Sequence, residues 1–295
     1  MKRILPFVFI LIILTACNTN KNDDAIIYTS IYPLEYIVHE IAEDKVDVQS
    51  IYPPGVDAHT YEPTSKEITE LADGEAFIYL GAGIEGFAET IAEALKNQDM
   101  EFIEIGQNKE LFSSDSSNDE TDVDPHIWLD PMRMIQMAEI ITKELNELQP
   151  ENKTFFLENL SQFTEKMTVL DEEFSDTLKD KEKKELLVAH AAYGYWEQRY
   201  DLEQIPISGL SSSDEPSQKE LTSIAKLADD KNLHYVIFDV ASENKVAKIL
   251  QEHIDADPLY IHNLEVLTDE NIENSEDYYS IMKKNLKALD QATSE

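Results

Sequence analysis

Several things are scarce in this sequence, and each shortage removes a class of function. One cysteine stands in 295 residues, so an internal disulfide and a cysteine-rich zinc site are both excluded. Only 24 lysines and arginines face 60 acids, for a formal net charge of −36. Nucleic acid is excluded as a partner, because phosphate contacts need many cations. An electrostatic grip on anionic lipid is excluded for the same reason. No G-x-x-x-x-G-K-[ST] phosphate loop occurs, which removes ATP hydrolysis by that route, and there is no His-Glu-x-x-His helix. No sequence repeat is visible. What remains is a chain that is 42% hydrophobic, enough to bury real cores. Its length points to about two domains.

The first residues stand apart from the fold. Lys2 and Arg3 form a short basic region, and Leu5 to Ile13 is almost wholly apolar. That run reads as the core of a secretory signal, being too short for a span of about 20 residues. Leu14-Thr15-Ala16-Cys17 follows and resembles the lipobox of bacterial lipoproteins. The resemblance implies cleavage before Cys17 and lipid on its thiol and new amine. Several acyl chains on one residue give stable anchoring. Residues 1–16 are then a signal peptide, and the polar residues 17–24 a lipid-attached tether.

The rest alternates. Ala25 to Thr29 reads as a strand, Pro33 to Glu43 as a helix and Val46 to Tyr52 as a strand stopped by Pro53-Pro54-Gly55. Ser65 to Asp73 reads as a helix with Ser65 as N-cap, Ala76 to Leu80 as a strand, and Ile84 to Lys96 and Met132 to Leu148 as helices. Between them, Leu111 to Asp124 is polar, acidic and low in complexity, a surface loop. Glu151 to Asp180 has no Gly or Pro and repeats apolar residues every three or four positions, with Pro150 suited to the first helical position. About 30 residues of helix span about 45 Å, enough to cross a whole molecule. Beyond it come Glu185 to Ala189, His234 to Phe238 and Leu259 to His262 as strands. Ala192 to Arg199, Ser217 to Asp229, Lys245 to His253 and Tyr278 to Leu289 read as helices. The expected fold is α/β: two βα lobes with mainly parallel sheets, joined by one long rigid backbone helix. The boundaries are residues 25–149 for the N-terminal lobe, 150–180 for the bridging helix and 181–295 for the C-terminal lobe.

Seven histidines are the candidate chemistry. His59 sits in a Pro-rich loop after a strand, in PPGVDAHTYEP, and His126 in the Pro-bounded DPHIWLDP before a helix. His190 closes the strand Leu186 to Ala189. Ligands of open α/β sheets collect beyond the carboxyl ends of strands. His39 belongs to a helix face, His234 starts a strand and His253 lies near a helix C-terminus. His262, at a strand end, is the competitor. No local pattern makes three distant histidines one site; the fold must bring them together.

Taken together, these segments resemble the substrate-binding lipoproteins of bacterial metal-ion ABC importers, the cluster A-I zinc and manganese family of ZnuA/AdcA-like "adhesins". YTSIYPLEYIVHEIA, PPGVDAHTYEPT, DPHIWLDP, LLVAHAAYGYW, GLSSSDEPS and DYYSIMKKNLKAL carry the resemblance over nearly the whole mature chain. It implies one metal between two lobes, with ligands on His59, His126 and His190. A carboxylate from the C-terminal lobe would be the fourth. Glu265 resembles the Asn-Pro-Leu-Glu position of zinc-type members, though Asn263 stands where that pattern has Pro. Asp239, at a strand end, is the alternative. Asp57, Glu62 and Asp130 are candidates to orient the rings. The family further implies a monomeric, extracytoplasmic protein, lipid-anchored through Cys17, that hands its ion to a membrane permease subunit.

Three imidazoles and a carboxylate suit Zn2+ as the transported ligand, whereas Mn2+ prefers more oxygen. Zinc-type relatives commonly carry a His-rich loop before the second histidine. Here that stretch holds Asp115, Asp119, Glu120, Asp122 and Asp124 and no histidine, which keeps Mn2+ as an alternative. A zinc hydrolase is the reading from another class: an open three-His site with Glu62 as base. Four protein ligands make a closed site, which binds and releases, so no enzyme is expected. A surface adhesin is the third reading.

Overall fold

The chain builds two parallel sheets in succession, each by βα steps. The structure, a computed structural model, describes residues 25–98, 100–112, 123–211, 214–242 and 244–294. The signal and tether expectations, Cys17 with them, lie outside the described residues, as do residues 113–122 of the acidic loop.

The N-terminal sheet holds β1 (Ala25–Thr29), β2 (Val46–Ser50), β3 (Ala76–Tyr79) and β4 (Glu101–Glu104) in the order β2-β1-β3-β4. The C-terminal sheet holds β5 (Glu185–Val188), β6 (Glu203–Pro206), β7 (Tyr235–Asp239) and β8 (Asp257–Ile261) in the order β6-β5-β7-β8. Every strand pairing in both sheets is parallel. The second sheet thus repeats the order of the first, a repeat of topology that the sequence does not show. In each, the chain turns to opposite sides of its first strand, which opens a crevice at the carboxyl ends of the two central strands.

Local chemistry sets the helix starts. In α1 (Tyr32–Ala42), Pro33 lies in the first turn, where a missing N–H costs nothing. α2 (Ser65–Leu71) is capped by Thr64, not Ser65: Thr64 and Glu67 form a reciprocal capping box. α3 (Ala88–Leu95) starts four residues later than its periodicity suggests. Gly81, Ala82 and Gly83 take φ of 73°, 54° and 83°, and the buried Glu85 accepts from the N–H groups of Leu80 and Gly81. α4 (Pro131–Leu148) opens on Asp130, whose side chain accepts the Met132 N–H. The later helices are α6 (Gly194–Tyr200), α7 (Gln218–Asp230), α8 (Lys245–His253), α9 (Asp269–Glu273) and α10 (Tyr278–Ala292).

Pro150 begins a short 3-10 turn, and the long α5 (Lys153–Leu178) follows with 26 residues, about 39 Å. Its buried stripe of Phe156, Phe163, Met167, Leu170 and Phe174 packs on α1 and α4 of the first lobe and on α6 and α10 of the second. One apolar core therefore runs through both lobes along α5. A smaller core, with Leu187, Ile205, Val236 and Leu250, closes the far side of the second sheet. Among the described residues no helix is long and apolar enough to cross a membrane.

Candidate metal centre

Three of the four residues that converge in the cleft are set by the same local device. Asp57 Oδ1 accepts the His59 N–H at 2.9 Å. Asp124 Oδ1 accepts the His126 N–H at 3.0 Å. Asn263 Oδ1 accepts the Glu265 N–H at 3.1 Å. Each is an Asx turn, a side-chain oxygen catching the backbone two residues on. It bends the chain sharply at the end of a strand or before a helix, and aims the next side chain inward. His190 comes directly from the end of β5.

The four donor groups of His59, His126, His190 and Glu265 lie within 4.8 Å of one another. The imidazole centroids are 5.5 Å apart for His59–His126 and His59–His190, and 4.9 Å apart for His126–His190. Glu265 Oε1 faces His59 Nε2 at 3.4 Å and His126 Nε2 at 3.5 Å. These three atoms are buried and none has a hydrogen-bond partner. Leaving a buried polar atom unpaired costs about 1–3 kcal/mol, so three that aim at one point are suited to sharing a cation.

The remaining ring nitrogens are engaged. His126 Nδ1 donates to Asp124 Oδ1 at 2.8 Å, so Nε2 is the atom turned to the cleft, free to coordinate once its own proton leaves. His190 Nε2 donates to the Leu210 carbonyl at 2.8 Å, which leaves Nδ1 as its lone-pair nitrogen. Burial, helped by the charge of His126, lowers the His190 pKa to about 4, so that ring is neutral. Burial works against a proton on His126 too, but Asp124 and Glu265 reverse it and raise its pKa to about 9. Burial would raise Glu265; the imidazoles of His126 and His59 overcome it and hold the carboxyl well below the usual carboxylate range. Asp239 is pushed up to about 8 by burial and then by the charge of Glu265.

Asp239 is not among the four converging groups. Its Oδ1 caps the end of β7 by accepting the Ala241 N–H at 2.9 Å. Glu62 and Asp130, two of the residues expected to orient the rings, accept from no imidazole among the described residues. Asp57 holds the His59 backbone. Glu62 is exposed on its loop, which also removes it as a buried base. Asp130 is fully buried between two arginines, bonded to Arg133 and 2.7 Å from Arg199 Nε. The groups seen to hold the rings are Asp124, expected above within a surface loop, and the Leu210 carbonyl. A signal for Asp124 exists: Val56-Asp57-Ala58-His59 and Val123-Asp124-Pro125-His126 share the pattern Val-Asp-x-His. The other four histidines stay out of the cluster.

The cleft is sewn shut from both lobes. Trp128 Nε1 donates to the Asn263 carbonyl at 2.7 Å, and Tyr278 Oη to the Trp128 carbonyl at 2.6 Å. The Tyr32 N–H donates to the Glu265 carbonyl at 2.8 Å. Trp196 Nε1 donates to the Leu129 carbonyl at 2.7 Å. DPHIWLDP thus supplies both a histidine to the cleft and the stitches that fix the lobes around it.

Comparison with known proteins finds relatives and solved structures of the same fold. The profile of the family "ZnuA: Zinc-uptake complex component A periplasmic" matches residues 27–292. The high-affinity zinc uptake system protein ZnuA of Bacillus subtilis is 30% identical over 280 residues, 92% of this chain and 88% of that protein. The zinc-binding lipoprotein AdcA of Streptococcus pneumoniae is 29% identical over 292 residues, 95% of this chain; the match spans 58% of AdcA's own length. The Zn(II)-bound ZnuA-like domain of that AdcA superposes with a TM-score of 0.78 at 28% identity, covering 92% of this chain and all of that domain. The chain belongs to the ZnuA family of zinc-uptake components, binding proteins of a metal importer and not enzymes.

Proposed function

We propose that this protein captures one Zn2+ in the cleft and delivers it to the membrane permease of an ABC importer. The ligands are His59 Nε2, His126 Nε2, His190 Nδ1 and a carboxylate oxygen of Glu265. The single observation that carries the reading is the convergence of these four groups within 4.8 Å, three of their atoms buried and unpaired. Three nitrogens and one oxygen form the borderline, nitrogen-rich set that tetrahedral zinc accepts. Mn2+ would call for more oxygen, and Asp239 stands outside the group. Zinc uptake is also what the name of the Bacillus relative describes, and zinc binding what the name of the Streptococcus relative describes.

The protein works as a monomer outside the cytoplasmic membrane, held there by lipid on Cys17. Residues 25–149 and 181–295 form its lobes and 150–180 its bridge. In cells lacking the chromosomal copy, the full chain restores growth in zinc-depleted medium, and H59A does not. C17S moves the protein from the membrane fraction to the medium. Growth restored equally by H59A would overturn the site; growth restored by manganese alone would overturn the metal.

A further inference from the structure

Glu265 is carried by a turn whose backbone is held against its preference. Leu264, immediately before it, has φ 66°, the left-handed region that L side chains avoid. Leu264 is also fully buried, so no glycine can relieve the turn without emptying the core beneath it. A hydrogen bond holds it instead. The Leu264 N–H donates to His262 Nδ1 at 2.9 Å, so His262 does for residue 264 what an Asx side chain does in a turn. A ring nitrogen accepts only when it carries no proton, so the hydrogen sits on Nε2. Nε2 donates to Asn271 Oδ1 at 2.9 Å, and Asn271 Nδ2 donates to Glu276 Oε2 at 3.0 Å. Asn285 of α10 brackets the same residue: its Oδ1 accepts the His262 N–H at 2.9 Å and its Nδ2 donates to the His262 carbonyl at 2.8 Å. Burial lowers the His262 pKa and keeps the ring neutral. His262 is not one of the converging donors, yet every one of these bonds bears on the turn that ends at Glu265.

We infer that His262 is a positioning residue for the metal: its Nδ1 locks Leu264 in the left-handed turn that aims the Glu265 carboxylate at His59 and His126. The inference rests on Glu265 being a ligand, as proposed above. Two overlapping turns then set one carboxylate. Asn263 catches the Glu265 N–H, and His262 catches the N–H one residue earlier. Each bond alone leaves the chain one residue of freedom; together they leave none.

The isosteres of histidine separate this role from a general structural one. Asparagine puts Oδ1 where Nδ1 stands and can still accept from Leu264. Glutamine reaches to the Nε2 position, keeps the bond to Asn271 and leaves the Leu264 N–H unmet. Zinc affinity of the full-length protein is measured by competition with a chelating dye, and coordination by the d–d absorption of the Co2+ form. H262N stays close to wild type, whereas H262Q and H262A bind zinc about 10-fold or more weakly, as for other residues that orient a ligand. Their Co2+ spectra shift toward that of E265A. In an E265A background, H262A costs nothing further, because the residue acts only through Glu265. If H262A fails to fold, the Asn and Gln pair still decides. H262Q matching wild type, or H262A weakening zinc equally with and without Glu265, overturns the inference while the ligand set stands. E265A with unchanged zinc affinity overturns the ligand set and this inference with it.

Discussion

Burial alone would strip His126 of its proton, yet Asp124 and Glu265 raise its pKa to about 9, while burial drops His190 to about 4. These opposite shifts fix how the protein responds to pH. Between about 4 and the ordinary 6.5, unfolded chain holds a proton at position 190 that folded chain refuses. Stability therefore rises with pH through that window. Between 6.5 and about 9 the folded chain holds the extra proton, on His126, so stability falls as pH rises. For these two groups the metal-free protein is most stable near pH 6.5. Zinc must displace the His126 proton to bind, so its affinity climbs about tenfold per pH unit up to about 9 and then levels. Thermal unfolding across pH 6.5 to 10, with and without zinc, checks the upper window: the metal-free Tm falls from pH 6.5 toward 9, where Asp239, itself raised to about 8, adds to the fall, and the zinc-induced rise in Tm grows toward pH 9. A zinc effect that does not change between pH 7 and 9 contradicts the assignment of a proton to His126.

At the scale of elements, short polar devices govern where the chain turns, and long apolar patterns govern where it runs straight. Thr64 and Glu67 cap α2 on an exposed surface, far from the metal donors in bonding terms. T64A should cost about 1 kcal/mol of stability, seen as a lower urea midpoint, with zinc affinity unchanged; a large loss of affinity would mean that α2 takes part in the site. The same division explains what could be read from sequence. α5 was legible because its apolar residues recur without a breaker, and β1, β3, β5 and β7 because buried central strands are continuous apolar runs. β4 (EFIE) and β6 (EQIP) were not, because each is four residues long and half polar, whereas the edge strands β2 and β8 still show alternation or a short apolar run. α9 escaped for want of length. His59, His126 and His190 stood out by their places in Pro-bounded loops and at a strand end, but their union with Glu265 in one ligand set came from a family resemblance; their spacing does not by itself put them together. Asp124 was hidden inside an acidic loop, since composition suggests solvent; the shared Val-Asp-x-His pattern is its trace in the sequence.

Across the whole molecule the lobes share a core along α5 and are pinned at the cleft by hydrogen bonds from Trp128, Trp196, Tyr278 and Tyr32. An ion pair adds to them: Arg199 of α6 reaches the fully buried Asp130 at the start of α4. Such a frame suits a binding site that keeps its shape. R199A leaves Asp130 with Arg133 as its remaining charged partner, beside the Met132 N–H, so the loss should be on the order of 2 kcal/mol, below that of a wholly unpaired buried charge. Chemical denaturation of the metal-free protein measures it, and an unchanged midpoint would show that the ion pair does not join the lobes energetically. The two sheets with their matching strand order place His59 and His126 from one lobe against His190 and Glu265 from the other, and this is the arrangement on which the proposed function depends. Its most direct test is metal content by mass spectrometry on full-length protein purified without tag or chelator, followed by competition between zinc and manganese. The account predicts one tightly held zinc per chain, manganese displaced by zinc, and loss of stoichiometric metal in H59A. Preferred manganese, no stoichiometric metal, or an unaltered H59A would contradict it.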